Sequence, residues 1–182
     1  MACEYKISDH LAQVCQPTAA GYKSNFWLAN YDDFAQSVDM TARTVQIPSG
    51  KVLYRYADAR RAVLSGSSKA LGDSTFSGAV FTKTIQIGVD KGADIAAAGD
   101  LIDKLSSAKL VAILQREDGS GFEVVGAIVP LRASAVDQNL GSDDEAANMV
   151  TVTLTCNESL FSVAAKATSE DVAAAIKKAE VA

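Results

Sequence analysis

Four side chains in the sequence have the chemistry to bind zinc together. They are Cys3, His10, Cys15 and Cys156, and zinc prefers thiolate sulfur and imidazole nitrogen. Structural zinc sites normally contain a closely spaced pair of ligands, and the sequence has no such pair. The three cysteines are also a poor disulfide framework, because an odd number leaves one thiol over. We therefore expect buried or partly buried free thiols, and keep a small metal-binding or enzymatic domain as an alternative.

Other polar groups could do chemistry only with partners that the sequence does not place beside them. His10 is the only histidine and has no neighbouring carboxylate or nucleophile, so we interpret it as a surface histidine. The acidic stretches 32–33 and 143–145 lack the alternating ligands and central glycine of a calcium loop, which favours solvated turns. Residues 66–69 lack the order of a phosphate-binding loop. The sequence therefore predicts no enzyme and no catalytic, cofactor-binding or metal-binding residue.

Charge and aromatic residues point to surfaces more than to a reaction. Four arginines, Arg43, Arg55, Arg60 and Arg61, form a modest basic cluster, which we interpret as a solvated face, with phosphate or acidic contacts as the alternative. The formal net charge of -5 and the pI of about 4.9 argue against a general nucleic-acid-binding protein. Phe26 and Trp27 are typical of a core or a subunit interface.

The elements that would position these groups are organised around residues 110–127. Two apolar runs flank Asp118-Gly119-Ser120-Gly121, and this pattern predicts a β-hairpin. Both arms are apolar on nearly every residue, which indicates burial on two faces. A helix is predicted at about 93–107, because Ile95, Ala98, Leu101, Ile102 and Leu105 recur at helical spacing.

Two strands show clean alternation between an apolar and a hydroxyl-bearing face. In residues 79–89, Phe81, Lys83, Ile85 and Ile87 are predicted to point one way, and Thr82, Thr84 and Gln86 the other. In residues 149–156, Val150, Val152 and Leu154 are predicted to lie opposite Thr151, Thr153 and Thr155. Such polar faces suit contact with water or with a channel.

The remaining segments carry weaker signals. We expect an aromatic strand at 23–30, an extension of the second hairpin arm through 128–133, a flexible loop at 66–73, a turn at 157–159 and a strand at 160–165 that pairs back. A C-terminal helix is predicted at about 168–180. It would open with a capping box between Thr168 and Asp171, and its thin apolar stripe suggests docking on a partner subunit.

The length of 182 residues favours one domain of the α+β class that is mainly β, an antiparallel β-sandwich or barrel with two flanking helices. We divide it into an N-terminal arm (1–22), the sandwich domain (23–165) and the C-terminal helix (166–182). No run of apolar residues is long enough to predict a membrane span, and no leader peptide is predicted.

The order of these elements resembles structural proteins of tailed bacteriophages and, more loosely, the phage tail-tube family. The resemblance spans most of residues 1–165. It is carried by the early cysteines Cys3 and Cys15, by Gly21-Tyr22-Lys23, by Asn30-Tyr31-Asp32-Asp33-Phe34, by the Phe-Thr-x-Thr strand at 81–84, by the hairpin at 110–126, and by the threonine-rich strand at 150–158.

The resemblance implies a self-assembling virion protein. Tail-tube-like proteins are β-sandwich or barrel domains that form stacked rings, typically hexamers, around a lumen through which DNA passes without being read. We accordingly expect ring-forming self-association, contacts with other tail or neck proteins, and localisation in the virion after assembly in the host cytoplasm. A neck, adaptor or capsid-decorating protein of similar fold is the alternative.

Overall fold

The structure is a computed structural model that describes residues 21–34, 38–56, 65–70, 80–90, 94–117, 119, 121–138, 149–160, 162–166 and 171–180. The predicted N-terminal arm up to residue 20 and the acidic stretch at 143–145 lie outside these residues. The described residues form eleven strands and two α-helices, which are, in chain order, β1 (Tyr22–Asn30), β2 (Val38–Asp39), β3 (Thr44–Gln46), β4 (Tyr54–Tyr56), β5 (Ser65–Ala70), β6 (Phe81–Asp90), α1 (Ile95–Ser107), β7 (Leu110–Arg116), β8 (Phe122–Val125), β9 (Arg132–Gln138), β10 (Met149–Glu158), β11 (Val163–Lys166) and α2 (Val172–Ala179).

A seven-stranded sheet forms the centre of the molecule, in the order β2-β3-β11-β8-β7-β1-β4. The predicted hairpin is confirmed, because β7 and β8 pair antiparallel with Ile113 opposite Val124. Burial on both faces is also confirmed. Val111 and Ile113 belong to one apolar cluster, whereas Ala112 and Leu114 belong to another on the opposite face. A strand covered on both sides needs apolar residues at every position, which explains the unbroken run.

A four-stranded antiparallel sheet, in the order β5-β6-β10-β9, packs against the first. Its two central strands pair along their whole length, from Phe81 opposite Glu158 to Asp90 opposite Met149. The predicted alternation is confirmed: the side chains of Ile85, Ile87, Val150, Val152 and Leu154 are buried, and the intervening threonines are partly exposed.

Two apolar clusters hold these layers together. The first lies between the sheets and includes α1; its members come from both sheets and from the helix, such as Phe26, Leu28, Ile87, Leu105 and Leu154. The second lies on the other face of the seven-stranded sheet and includes Ile176 of α2. The α+β, mainly β class, the sandwich-like arrangement and both helices are therefore confirmed.

Strand pairing differs from the predictions at three places. Residues 132–138 do not extend the hairpin but cross to the other sheet and pair with β10. Residues 65–70 form an edge strand against β6, where backbone pairing orders residues 66–70 of the segment 66–73, whose composition predicted a flexible loop. Residues 71–73 lie outside the described residues. The segment after β10 does not pair back on it, because β11 lies between β8 and β3 in the other sheet. The turn predicted at 157–159 is also displaced, since β10 continues through Glu158.

The C-terminal helix begins later than predicted. Asp171 has a non-helical backbone and is itself the N-cap, with its carboxylate accepting a hydrogen bond from the Ala173 amide at 3.3 Å. The predicted capping box is therefore wrong, because Asp171 precedes the helix and does not lie in its first turn; Thr168 is outside the described residues. The apolar stripe packs on the chain's own sheet through Ile176, whose side chain is buried.

Candidate functional site

A buried ion pair joins the two central strands of the four-stranded sheet at one end. The Lys83 ammonium lies 2.7 Å from Oε2 of Glu158, and the two side chains are 4% and 0% exposed. The other carboxylate oxygen accepts hydrogen bonds from the backbone amides of Gly126 and Ile128, at 3.1 Å and 3.0 Å. Burying two charges costs desolvation energy, and this arrangement offsets it with short bonds to both carboxylate oxygens.

The two amides belong to the segment that carries the chain from one sheet to the other, between β8 and β9. Gly126 in this segment has a φ of +89°, and a Cβ there would lie 2.8 Å from the Leu110 carbonyl oxygen. Leu110 and Leu131 exchange two backbone hydrogen bonds beside it, at 3.0 Å and 2.9 Å. Only glycine fits such a close backbone approach. Glu158 therefore ties the four-stranded sheet to the point where the chain leaves the seven-stranded sheet.

Cys156 is buried next to this ion pair, directly opposite Lys83 in the ladder. Burial, assisted by the neighbouring Glu158 carboxylate, raises the pKa of the thiol to about 12, against the opposing influence of Lys83. The thiol is therefore protonated at neutral pH, whereas a nucleophilic or metal-ligating cysteine is a thiolate. The free thiol predicted here is confirmed.

The outer face of the same sheet carries uncharged polar side chains. Along its two central strands these are Thr82, Thr84, Gln86, Thr151, Thr153, Thr155 and Asn157, the first six partly exposed and the last exposed. The Thr82 hydroxyl donates a hydrogen bond to Oδ1 of Asn157 across the strands, at 2.8 Å. The face is wettable, and at its β9 side it also carries the exposed Arg132 and Asp137, which lie opposite Thr155 and Thr151.

The two edges of this sheet are complementary in direction. β5 runs antiparallel to β6, β10 antiparallel to β6, and β9 antiparallel to β10, so β5 and β9 run antiparallel to each other. Within the described residues, β5 pairs only with β6 and β9 only with β10. In β9, every side chain except the partly exposed Ala133 is exposed, including Val136 at 44%. An edge of this kind offers unpaired backbone groups to another strand.

A groove of about 430 Å³ lies elsewhere, between the hairpin tip, β11 and the start of α2. Its charged side chains are Arg116, Glu123 and Asp171, and each is already engaged. The Tyr22 hydroxyl donates a hydrogen bond to Glu123, and Asp171 caps α2. Burial, with the neighbouring Glu123, raises the pKa of Tyr22. The described residues that line the groove therefore present no pair of groups arranged for acid–base chemistry.

Of the candidate groups singled out from the sequence, the described residues include Asp32, Asp33, Arg43, Arg55 and Cys156. Asp33 forms an ion pair with Lys51 at 2.8 Å. Arg43 precedes β3 and Arg55 lies on β4, and four strands separate β3 from β4, a distance of roughly 24 Å at normal strand spacing. The basic cluster is therefore not formed by these two arginines, while Arg60 and Arg61 lie outside the described residues.

Phe26 and Trp27 are both buried, on opposite faces of β1. Cys3, His10 and Cys15 are outside the described residues, and within those described no group of three or more His, Cys, Asp or Glu side chains is placed to hold a metal.

The ion pair is the feature that sequence reasoning missed. The sequence does contain a signal for it, since Lys83 occupies an inward position of an otherwise apolar alternation, but the sequence predicts a turn that includes Glu158.

No helix in the described part of the chain is long and apolar enough to cross a bilayer. The chain gives no significant match to any protein-family model, curated protein or solved structure.

Proposed function

We propose that the protein is a virion structural subunit, similar to a tail-tube protein, that repeats around a ring and lines a DNA-conducting lumen. The single observation that carries the proposal is the four-stranded sheet, which combines a face that is rich in hydroxyl groups along its central strands with two edges of opposite direction. The order of sequence features that resembles tailed-phage structural proteins supports the same function.

The edges explain how identical copies could close a ring. When copies repeat head to tail, β9 of one copy lies beside β5 of the next. Because these strands run antiparallel, the antiparallel ladder continues across the junction without a change of pattern. A head-to-tail contact of this kind closes into a ring when the rotation between copies allows it, and strand addition supplies main-chain hydrogen bonds at each junction.

The face explains how DNA could pass without being held. Tight DNA binding depends on lysine and arginine side chains that displace counterions from phosphates. The outward positions from Thr82 to Gln86 and from Thr151 to Asn157 carry none, and the whole chain has a net charge of -5. The hydroxyl and amide groups of the two central strands stay hydrated, and Arg132 and Asp137 of β9 beside them have opposite charges.

Electron microscopy of the purified protein across a concentration series tests the proposal. We expect rings or short tubes with a central hole, and symmetry averaging gives the number of copies. Single copies at every concentration, even with other virion proteins added, would contradict it. Rings found only at one end of a tail, or copies on a capsid, would instead favour the neck, adaptor or decorating alternative.

A pair of valine variants tests the edge contact. Val136→Lys places a charge on edge strand β9, where we expect it to abolish rings without unfolding the subunit. Val129→Lys is the matched control, because Val129 is 40% exposed, compared with 44% for Val136, but lies outside the four-stranded sheet. Equal assembly of the two variants would exclude the β9 edge as the contact.

A further inference from the structure

The Lys83 amine and the Glu158 carboxyl group are close enough to react with each other. The two residues are diagonal neighbours in the β6–β10 ladder, because Lys83 lies opposite Cys156 and Glu158 follows two positions later. Residues in this relation lie about 7–8 Å apart across a sheet, a span that a lysine linked to a glutamate covers without moving the strands. The Lys83 nitrogen already lies 2.7 Å from Oε2 of Glu158.

The Glu158 carboxyl group is held in the way that acyl transfer requires. The backbone amides of Gly126 and Ile128 donate to Oε1, at 3.1 Å and 3.0 Å, while Oε2 faces the amine. Two N–H donors at this distance form an oxyanion hole, which stabilises the negative charge that develops on a carbonyl oxygen under attack. One oxygen of Glu158 is therefore held as the oxyanion, and the other is placed to leave.

Burial favours the reaction in both directions of the argument, by activating the amine and by protecting the product. The two side chains are 4% and 0% exposed. A proton transfer along their hydrogen bond gives a neutral amine and a neutral acid, which removes both charges from the interior. A desolvated, neutral lysine is a nucleophile. Well-oriented reacting groups reach effective concentrations on the order of 10⁵–10⁸ M, and the exclusion of water disfavours hydrolysis of the product.

We propose that Lys83 and Glu158 form an intramolecular isopeptide bond, which ties β6 covalently to β10. The neutral Nζ attacks Cδ of Glu158, and a C–N bond forms while the carbonyl π electrons move to Oε1. The nitrogen then passes a second proton to Oε2, the bond between Cδ and Oε2 breaks, and water leaves. Oε1 becomes the amide carbonyl oxygen. One proton stays on the nitrogen, so the amide and one water molecule account for every atom of the ion pair.

The bond joins residues that are 75 positions apart and closes a loop that contains α1 and strands β7 to β9. β6 and β10 then remain connected even when the chain unfolds. Protein that has just folded holds the ion pair, and the bond accumulates from it with time. The inference concerns a single copy of the chain, so it goes beyond the proposed ring and does not require it.

Intact-mass spectrometry of the purified protein, repeated during incubation near neutral pH, tests the inference. We expect a growing fraction of the protein to be lighter than its sequence mass by one water molecule. Lys83→Arg keeps the positive charge but has no amine for this reaction, so it should stay at its full mass. It is the matched control, because an aspartate followed by a glycine, as at Asp118-Gly119, can also lose water and would do so equally in both proteins.

Parent protein kept in urea is a second control, which does not depend on whether a variant folds. Unfolding separates the two groups, so we expect no bond there. Tryptic peptide mapping locates the bond: cleavage after Lys83 should fail, and residues 70–91 should be joined to residues 133–166. Folded parent protein that stays at its full mass would overturn the inference. So would a loss of water that Lys83→Arg or the unfolded chain shows equally, or a bond mapped to other residues.

Discussion

At the scale of single residues, Glu158 is a buried carboxylate with three partners. Its two oxygens accept bonds from one ammonium and two backbone amides, and its side chain is fully buried. A group with so many fixed partners sets the relative position of everything it contacts. Here it determines where β6, β10 and the crossover segment meet.

Glu158→Gln should lower the free energy of unfolding by about 3–5 kcal/mol, because the Lys83 ammonium stays buried without a counter-charge. Lys83→Met combined with Glu158→Gln should cost less than Glu158→Gln alone, since no charge is then left in the core. Urea denaturation measures both. If the double variant costs the sum of the two single substitutions, the two side chains do not act as a pair.

The raised pKa of Cys156 leads us to predict that the protein loses stability at alkaline pH. Its pKa is about 12 in the folded protein, above the ordinary value of 9.0, so the unfolded chain loses this proton first. The contribution of the protonated Cys156 thiol to the free energy of unfolding is complete below pH 9.0 and is lost as the pH rises towards 12. The slope of this loss is at most about 1.4 kcal/mol per pH unit.

Urea denaturation at a series of pH values between about 8 and 9.5, below the ordinary tyrosine pKa of about 10, should show the start of this decline in the parent protein. Cys156→Ala should remove the decline while lowering stability uniformly. An unchanged slope in Cys156→Ala would assign the effect to another group.

At the scale of secondary-structure elements, local patterns predicted local structures well. The hairpin β7–β8, helix α1 and the alternating strands β6 and β10 follow from turn residues and periodicity, which act between near neighbours. The sequence does not give the correct pairing partners of β5, β9 and β11, because each of them pairs through backbone groups that every sequence has. The bend at Gly126, which directs β9 to the other sheet, is visible only from its contact with Leu110.

Two glycines with positive φ separate the effect of backbone strain from that of close packing. Gly119 has a φ of +72° with open space around it, so Gly119→Ala should cost about 1–2 kcal/mol from strain alone. Gly126→Ala should cost about 1–3 kcal/mol more, because its Cβ would meet the Leu110 carbonyl and the Leu131 side chain. Thermal and urea unfolding give both values, and equal costs would rule out the close approach.

At the scale of the whole molecule, the four-stranded sheet presents a polar face and, within the described residues, two edges with no further strand. We expect that the acidic chain does not retain DNA. In gel-mobility experiments at about 0.15 M salt, we expect no retardation of duplex DNA by the parent protein. Thr84→Lys combined with Thr153→Lys is the positive control, because it places two cations on the face proposed to line the lumen. Salt-dependent retardation by the parent protein would contradict a passive lumen.

The amino-acid sequence by itself determined the mainly β class, both helices, the central hairpin and the faces of the two alternating strands. These depend on periodicity and turn chemistry, which are properties of neighbouring residues. Only the tertiary structure decided which strands share a sheet, that Lys83 meets Glu158, and that the C-terminal helix docks over Trp27 and Leu53. These contacts join residues far apart in the chain, and their energy comes from burial and backbone pairing that no local pattern specifies.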